Sequence, residues 1–72
     1  MATDLELEND LEAMVDKTDL ATVLSALAMV CFQKAEHIRS NWQDRVMASE
    51  WERAGRTLDR AQVHTTIRAL SR

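Results

Sequence analysis

The middle of this 72-residue chain carries apolar residues at alternating steps of four and three. This spacing places them on one side of an α-helix, as in the seam of a coiled coil. Val23, Val30 and Phe32 widen that side, so that one partner helix would not cover it. The pattern predicts a helix over about residues 18–40. Its seam consists of Leu20, Leu24, Leu27, Cys31, Ala35, Ile38 and Trp42.

A second run with the same spacing predicts a helix over about residues 44–70. Small residues at Ala54, Gly55 and Ala61 would let a facing helix approach closely. The seam residues of this run are Met47, Trp51, Ala54, Leu58, Ala61 and Thr65, followed by a drift to Val63, Ile67 and Leu70.

The two runs are separated at residues 40–44, where Asp44 is suited to cap the following helix. At the start of the first run, Thr18 or Asp16 is the candidate cap, and Asp19 would place negative charge in the first turn. No glycine or proline marks the break, so one continuous helix is the alternative to a tight turn. We expect the turn, and therefore an antiparallel helical hairpin over residues 18–72.

The segment before the hairpin, residues 1–17, is dense in acidic residues but keeps apolar residues at helical spacing. It is interpreted as a short amphipathic helix over about Leu5–Val15, with a frayed tail as the alternative, because so short a helix is marginal alone. The apolar positions are Leu7, Leu11, Met14 and Val15.

Composition supports an all-α fold. Proline is absent, Gly55 is the only glycine, and residues with high helix propensity dominate, whereas a sheet would need turn residues between strands. A chain of this length forms a marginal core unless disulfides, a metal or a partner stabilises it. The single cysteine, Cys31, excludes an intramolecular disulfide.

Association is therefore the expected source of stability. Two hairpins packed as a four-helix bundle would bury the apolar surface that one hairpin leaves uncovered, and two-fold symmetry is the commonest way to pack them. The alternatives are a different protein that supplies the missing helices, or a monomeric three-helix bundle with the acidic segment folded back. The residues expected in the core and dimer interface are Leu20, Leu24, Leu27, Cys31, Ile38, Met47, Trp51 and Leu58.

Candidate chemistry is sparse. His37 and His64 lack the Glu-x-x-His spacing of a di-iron bundle, because Lys34 and Ala61 stand three residues before them. Cys31 lies on the apolar seam without a base to activate it, and is expected to be a small buried hydrophobe. We therefore expect no enzymatic activity, no metal and no cofactor.

Charge is unevenly distributed along the chain. The residues through Asp19 have a net charge of −6, and those beyond it have +3. Arg53, Arg56 and Arg60 form a helical stripe that could contact phosphates, although Glu52, four residues before Arg56, would partly neutralise it. A pI near 5.2 makes nucleic acid the less favoured partner.

The tryptophans Trp42 and Trp51 lie near the predicted turn, where they either close the end of the bundle or form a binding hot spot. The candidate partner surface is Trp42, Arg53, Arg56 and Arg60.

Neither export nor membrane insertion is expected. The N-terminus is acidic, unlike a secretory signal, and the longest run without a charge, Leu20–Gln33, is too short to span a bilayer. The sequence thus predicts a soluble, cytoplasmic, self-associating adaptor or regulator. A nucleic-acid-binding bundle that uses the arginine stripe is the alternative.

Overall fold

The computed structural model describes residues 3–41 and 44–70, and every regular element in those ranges is an α-helix. The predicted all-α class is thus confirmed for this part of the chain. The molecule measures 39 × 33 × 14 Å, and its smallest dimension barely exceeds the diameter of one helix. The molecule is therefore thin, and its short last helix contacts both long helices of the hairpin. The described residues form four helices. They are α1 (Asp4–Lys17), α2 (Leu20–Asn41), α3 (Arg45–Gln62) and α4 (Thr65–Ala69).

Helices α2 and α3 form the hairpin that dominates the fold. Residues nearer the end of α2 contact residues nearer the start of α3, so the two helices are antiparallel. The continuous-helix alternative is therefore wrong, because α2 ends at Asn41 and α3 begins at Arg45. The contacts across the pair include Phe32 with Gly55, Lys34 with Trp51, and Arg39 with Glu52.

The seam between α2 and α3 is made of small residues. Ala21, Ala28 and Ala35 recur every seven residues on α2, and Ala48 and Gly55 do so on α3. All five are buried, and Ala35 and Ala48 are at most 1% exposed. A seven-residue repeat keeps the same side of each helix toward its partner along a shallow left-handed supercoil.

Gly55 is the position where the Phe32 ring of α2 packs directly against α3. A Cβ atom added there would lie 2.7 Å from Cε1 of Phe32 and 2.9 Å from its Cδ1 and Cζ atoms. The aromatic ring thus occupies the space that any other residue at this position would fill. The absent side chain, not backbone freedom, is the reason for a glycine inside this helix.

Carboxylates cap both long helices. Asp44 accepts the N–H of the third residue of α3 at 3.0 Å, as predicted. For α2 the expected caps are wrong: Asp19 itself accepts the N–H of the third helical residue at 2.7 Å. Asp16 lies within α1, and the Thr18 hydroxyl donates to the carbonyl of Met14 at 2.7 Å, which ends α1.

The acidic segment is a helix from Asp4 to Lys17, so the frayed-tail alternative is wrong for these residues and the predicted Leu5–Val15 is slightly short. A capping box starts it. The backbone N–H of Glu6 donates to the Thr3 hydroxyl at 3.1 Å, and the N–H of Thr3 donates to the Glu6 carboxylate at 3.3 Å.

The second long helix is shorter than predicted. It ends at Gln62, and the expected helix over residues 44–70 is split at Val63 and His64. The following α4 starts where Nδ1 of His64 accepts the N–H of Thr66 at 3.1 Å. Three β-branched residues within Val63–Thr66 lower helix propensity, which favours a break at this point.

The Phe32–Gly55 contact predicts an unusual response to Gly55→Ala. Alanine in a helix interior normally gains about 1 kcal/mol over glycine, but overpacking costs roughly 1–3 kcal/mol. We expect a net loss of about 1 kcal/mol in the free energy of unfolding, measured by urea denaturation. Combining Gly55→Ala with Phe32→Leu should remove the clash and reverse the sign of the alanine effect. A stabilising single variant would contradict the close approach.

Candidate interaction surface

Eight of the larger apolar side chains of the hairpin lie beside the small-residue seam and on one face of the molecule, whereas Met29, 56% exposed, lies on the other. Successive residues are rotated by about 100° around a helix axis, so these eight side chains are rotated by about 40–100° from the seam residues of their own helix. Because α2 and α3 are antiparallel, this rotation brings both sets of side chains to the same side of the hairpin. We call this set the apolar face. It consists of Leu20, Leu24, Leu27, Cys31 and Ile38 of α2 and Met47, Trp51 and Leu58 of α3.

The apolar face is only partly covered. Of its members Cys31 is buried, whereas Leu27 is 41% and Met47 is 48% exposed. The rest are half-buried. These are the residues that the sequence predicted for the core and dimer interface. Within one chain they flank the small-residue seam, which supplies most of the direct helix-to-helix contact.

Trp51 lies on this face, near the predicted end of the hairpin. The ammonium group of Lys34 is 5.9 Å from the centre of its ring, within the range of a cation–π contact. This contact ties α2 to α3 and keeps the half-buried indole in place. Trp42, the other predicted aromatic contact, lies outside the described residues.

The opposite face of the hairpin carries a chain of four charges beside the exposed Met29. Arg39 of α2 forms an ion pair with Glu52 of α3 and lies 3.8 Å from Glu36. Glu52 is also 3.8 Å from Arg56, as its four-residue spacing predicted. Because Glu52 is shared between both helices, this network favours one register of the hairpin. We call this side the polar face.

The predicted arginine stripe is exposed along the outer side of α3. The Arg53 side chain is 69% exposed and lies 3.6 Å from Glu50, and Arg56 is 60% exposed beside Glu52. Arg60 is exposed and forms no ion pair with any described residue. Exposed pairs of this kind contribute little to stability, so the three guanidinium groups are accessible to a partner.

An apolar groove of about 400 Å³ lies between α1 and α2. Leu11 and Met14 of α1 form one wall, and Val23, Leu27 and Val30 of α2 form the other. Val23 and Val30 are on the side of α2 roughly opposite the small-residue seam. Because Leu27 belongs to both the groove and the apolar face, the two apolar surfaces are continuous.

The groove wall contributed by α1 is strongly acidic outside its apolar stripe. This helix has six carboxylates and one lysine, Lys17. No ion pair within residues 3–41 and 44–70 involves them. The acidic charge of α1 is therefore accessible along the helix.

The candidate chemical residues are not assembled into a site. Cys31 is buried, His37 is exposed next to Asn41, and His64 caps α4. Among the described residues, no three histidine, cysteine or acidic side chains are grouped so that they could hold a metal ion. The helical cap formed by His64 was missed in the sequence because histidine is a less usual cap than serine or aspartate.

Comparison with protein-family models, with curated proteins and with solved structures finds no match for this chain. In the part of the chain that the structure describes, no helix has both the length and the apolar character needed to cross a bilayer. The surfaces described above are therefore the basis for inferring function.

Leu27→Ala distinguishes a lone chain from an assembly. In the lone chain this side chain is 41% exposed, so we expect its truncation to cost about 1 kcal/mol. Burial in an interface would raise the cost to about 2–5 kcal/mol. Thermal unfolding at low and high protein concentration measures both values. A small cost that does not change with concentration would contradict burial of Leu27 by a second chain.

Proposed function

We propose that this protein is a non-enzymatic interaction module whose apolar face packs against the same face of a second copy, giving a four-helix bundle of two hairpins. In this role it acts as a small self-associating adaptor or regulator. The single observation that carries the proposal is a one-helix-thick layer with half-covered leucine, isoleucine, methionine and tryptophan side chains on one face. Folded domains ordinarily bury such a face against a second layer.

The amount of exposed surface supports the proposal. The chain exposes 5797 Å², whereas a folded monomer of 8.2 kDa is expected to expose about 4500 Å². The excess of about 1300 Å² exceeds the roughly 800 Å² per partner that a standard protein interface buries. An interface of standard size would lower the exposed surface of each copy to about 5000 Å², which is closer to the value expected for a folded monomer.

The contrast between the two faces supports a single preferred contact. The polar face is covered by the Glu36–Arg39–Glu52–Arg56 network, and removing these charges from water would carry a large desolvation cost. The apolar face has no such cost. Packing through the apolar face is therefore favoured over packing through the polar one.

Nucleic acid is the weaker candidate partner. Arg53, Arg56 and Arg60 are accessible, but Glu50 and Glu52 lie within 4 Å of two of them and reduce the local positive charge. Phosphate binding depends on such charge and weakens steeply with salt. The binding of a labelled duplex at low salt, lost on changing the three arginines to glutamine, would favour this alternative.

Met47→Glu tests the proposed interface, and Val46→Glu is its matched control. Both residues are exposed near the start of α3, at 48% and 77%, so neither change should unfold the hairpin. Met47 is on the apolar face, and Val46 is on the outer edge of α3. We expect light scattering after size exclusion to give a dimer for wild type and Val46→Glu, and a monomer for Met47→Glu.

Circular dichroism should show the same helix content in all three proteins. A wild-type protein that remains monomeric up to millimolar concentration would overturn the proposal. A dimer that tolerates Met47→Glu as well as Val46→Glu would place the interface elsewhere.

A further inference from the structure

We propose that the groove between α1 and α2 docks a basic amphipathic helix of a different protein. The apolar side of that helix would fill the groove, and its lysines or arginines would meet the carboxylates of α1. Of the residues of the apolar face, only Leu27 also lines the groove. The inference therefore goes beyond the proposed self-association and does not rest on it.

The groove is apolar, and its own chain leaves it open. No residue of α1 is buried, and Met14 on the α1 wall is 53% exposed, while Val30 on the α2 wall is 45% exposed. Leu7, one turn before Leu11, is also 53% exposed. We call Leu7, Leu11 and Met14 the α1 stripe, because helical spacing places them on one side of α1. A helix of this length is marginal by itself, so an occupant that covers the stripe would stabilise α1 as well.

The two walls of the groove differ in charge. The α2 wall is uncharged, because Leu20–Gln33 contains no acidic or basic residue. Helix α1 carries six carboxylates and one lysine, which gives it a net charge of −5. Successive residues are rotated by about 100°, so Glu8 and Asp10 flank the α1 stripe on opposite sides. The groove therefore combines an apolar floor with carboxylates on both flanks of its α1 wall.

Two lysines lie beside the groove, and neither forms an ion pair with the flanking carboxylates. Lys17 lines the groove at the end of α1, about 10 Å or more along the helix axis from Glu8 and Asp10. Lys34 is one turn beyond Val30, and its ammonium group is held over the Trp51 ring of α3. The carboxylates on the flanks are thus accessible to the cations of a partner.

The chemistry of the occupant follows from these two features. A groove between two helices whose apolar residues recur at helical spacing is suited to an amphipathic helix, which inserts residues i, i+3, i+4 and i+7. Carboxylates beside the groove attract a helix with basic flanks and repel an acidic one. The same carboxylates disfavour an anionic membrane surface or a nucleic acid, because both carry negative charge.

A second copy of this chain does not offer a helix of this kind. Its α1 is acidic, and its α2 is uncharged over most of its length. Its α3 has four arginines, but they lie on the side of the helix opposite its members of the apolar face. If α3 inserted those members into the groove, its arginines would point away from α1. The α4 helix has only five residues. The fitting occupant is therefore a different chain.

A pair of synthetic peptides tests the charge of the occupant. The first has 14 residues, as α1 has, with leucines at helical spacing, lysines on both flanks of the leucine stripe and alanines elsewhere. The second has glutamate in place of each lysine. We expect fluorescence anisotropy to show saturable binding of one lysine peptide per chain. Its affinity should fall at least roughly tenfold between about 0.05 and 0.5 M salt, and the glutamate peptide should not bind.

Val30→Lys tests the location, and Val46→Lys is its matched control. Both positions are exposed, at 45% and 77%, and both changes add the same charge, but Val46 is on α3 and outside the groove. We expect Val30→Lys to weaken binding of the lysine peptide at least roughly tenfold and Val46→Lys to leave it within about threefold. Circular dichroism should show the same helix content in both variants.

Neutralising the flanks tests the role of α1. The variant is Glu8→Gln with Asp10→Asn, and the control that removes the same charge from α3 is Glu50→Gln with Asp59→Asn. All four residues are exposed. We expect the α1 pair to weaken binding at least roughly fivefold at low salt, and the α3 pair to change it less than about twofold.

Three results would overturn the proposal. Equal binding of both peptides would leave no role for the carboxylates, and equal losses in the test and control variants would indicate attraction to the overall charge alone. If neither peptide binds and Val30→Lys weakens dimerisation instead, the groove belongs to the second copy. A wild-type monomer that binds the lysine peptide as described would support the docking site and overturn only the proposed self-association.

Discussion

The close approach of α2 and α3 is the constraint from which the other features of this molecule follow. The ring of Phe32 fills the space over Gly55, and alanines occupy the neighbouring turns of the seam. The seam accommodates this one large ring opposite a glycine, and its other buried positions are small residues. The larger apolar residues are therefore displaced to its margin, where they form one face of a thin layer.

This displacement links the fold to its association. Alanine and glycine bury little apolar area, so the seam contributes limited hydrophobic stabilisation by itself. The side chains that could contribute more, such as Leu27 and Met47, remain substantially exposed in one chain. Covering them requires a second layer, and the polar face with its shared Glu52 is not suited to provide the contact. The narrow seam and the proposed dimer thus have one physical origin.

Much of the fold could be predicted because helical periodicity and caps are local properties. The two long helices, their break before Asp44 and the hairpin follow from them. The identity of the seam could not be derived in the same way. Ala28 and Ala48 directly follow Leu27 and Met47, so two seven-residue patterns coexist with an offset of one position. Periodicity alone does not show which of the two patterns faces the neighbouring helix. Hydrophobicity indicated the pattern of larger residues, whereas the structure places the smaller residues in the seam.

Apolar surface and charge contribute to recognition in different ways. Hydrophobic burial is non-directional, so in the proposed dimer the apolar face would supply affinity and allow more than one relative orientation of the two copies. Among the described residues the acidic α1 makes no contact with α3, so its carboxylates and the arginines of α3 do not pair within one chain. Charge placed outside the apolar contact in this way selects among orientations at little cost in stability, because the groups stay near water. The sequence separates the two kinds of surface in the same way, because its acidic residues are concentrated in α1 and most of its arginines in α3.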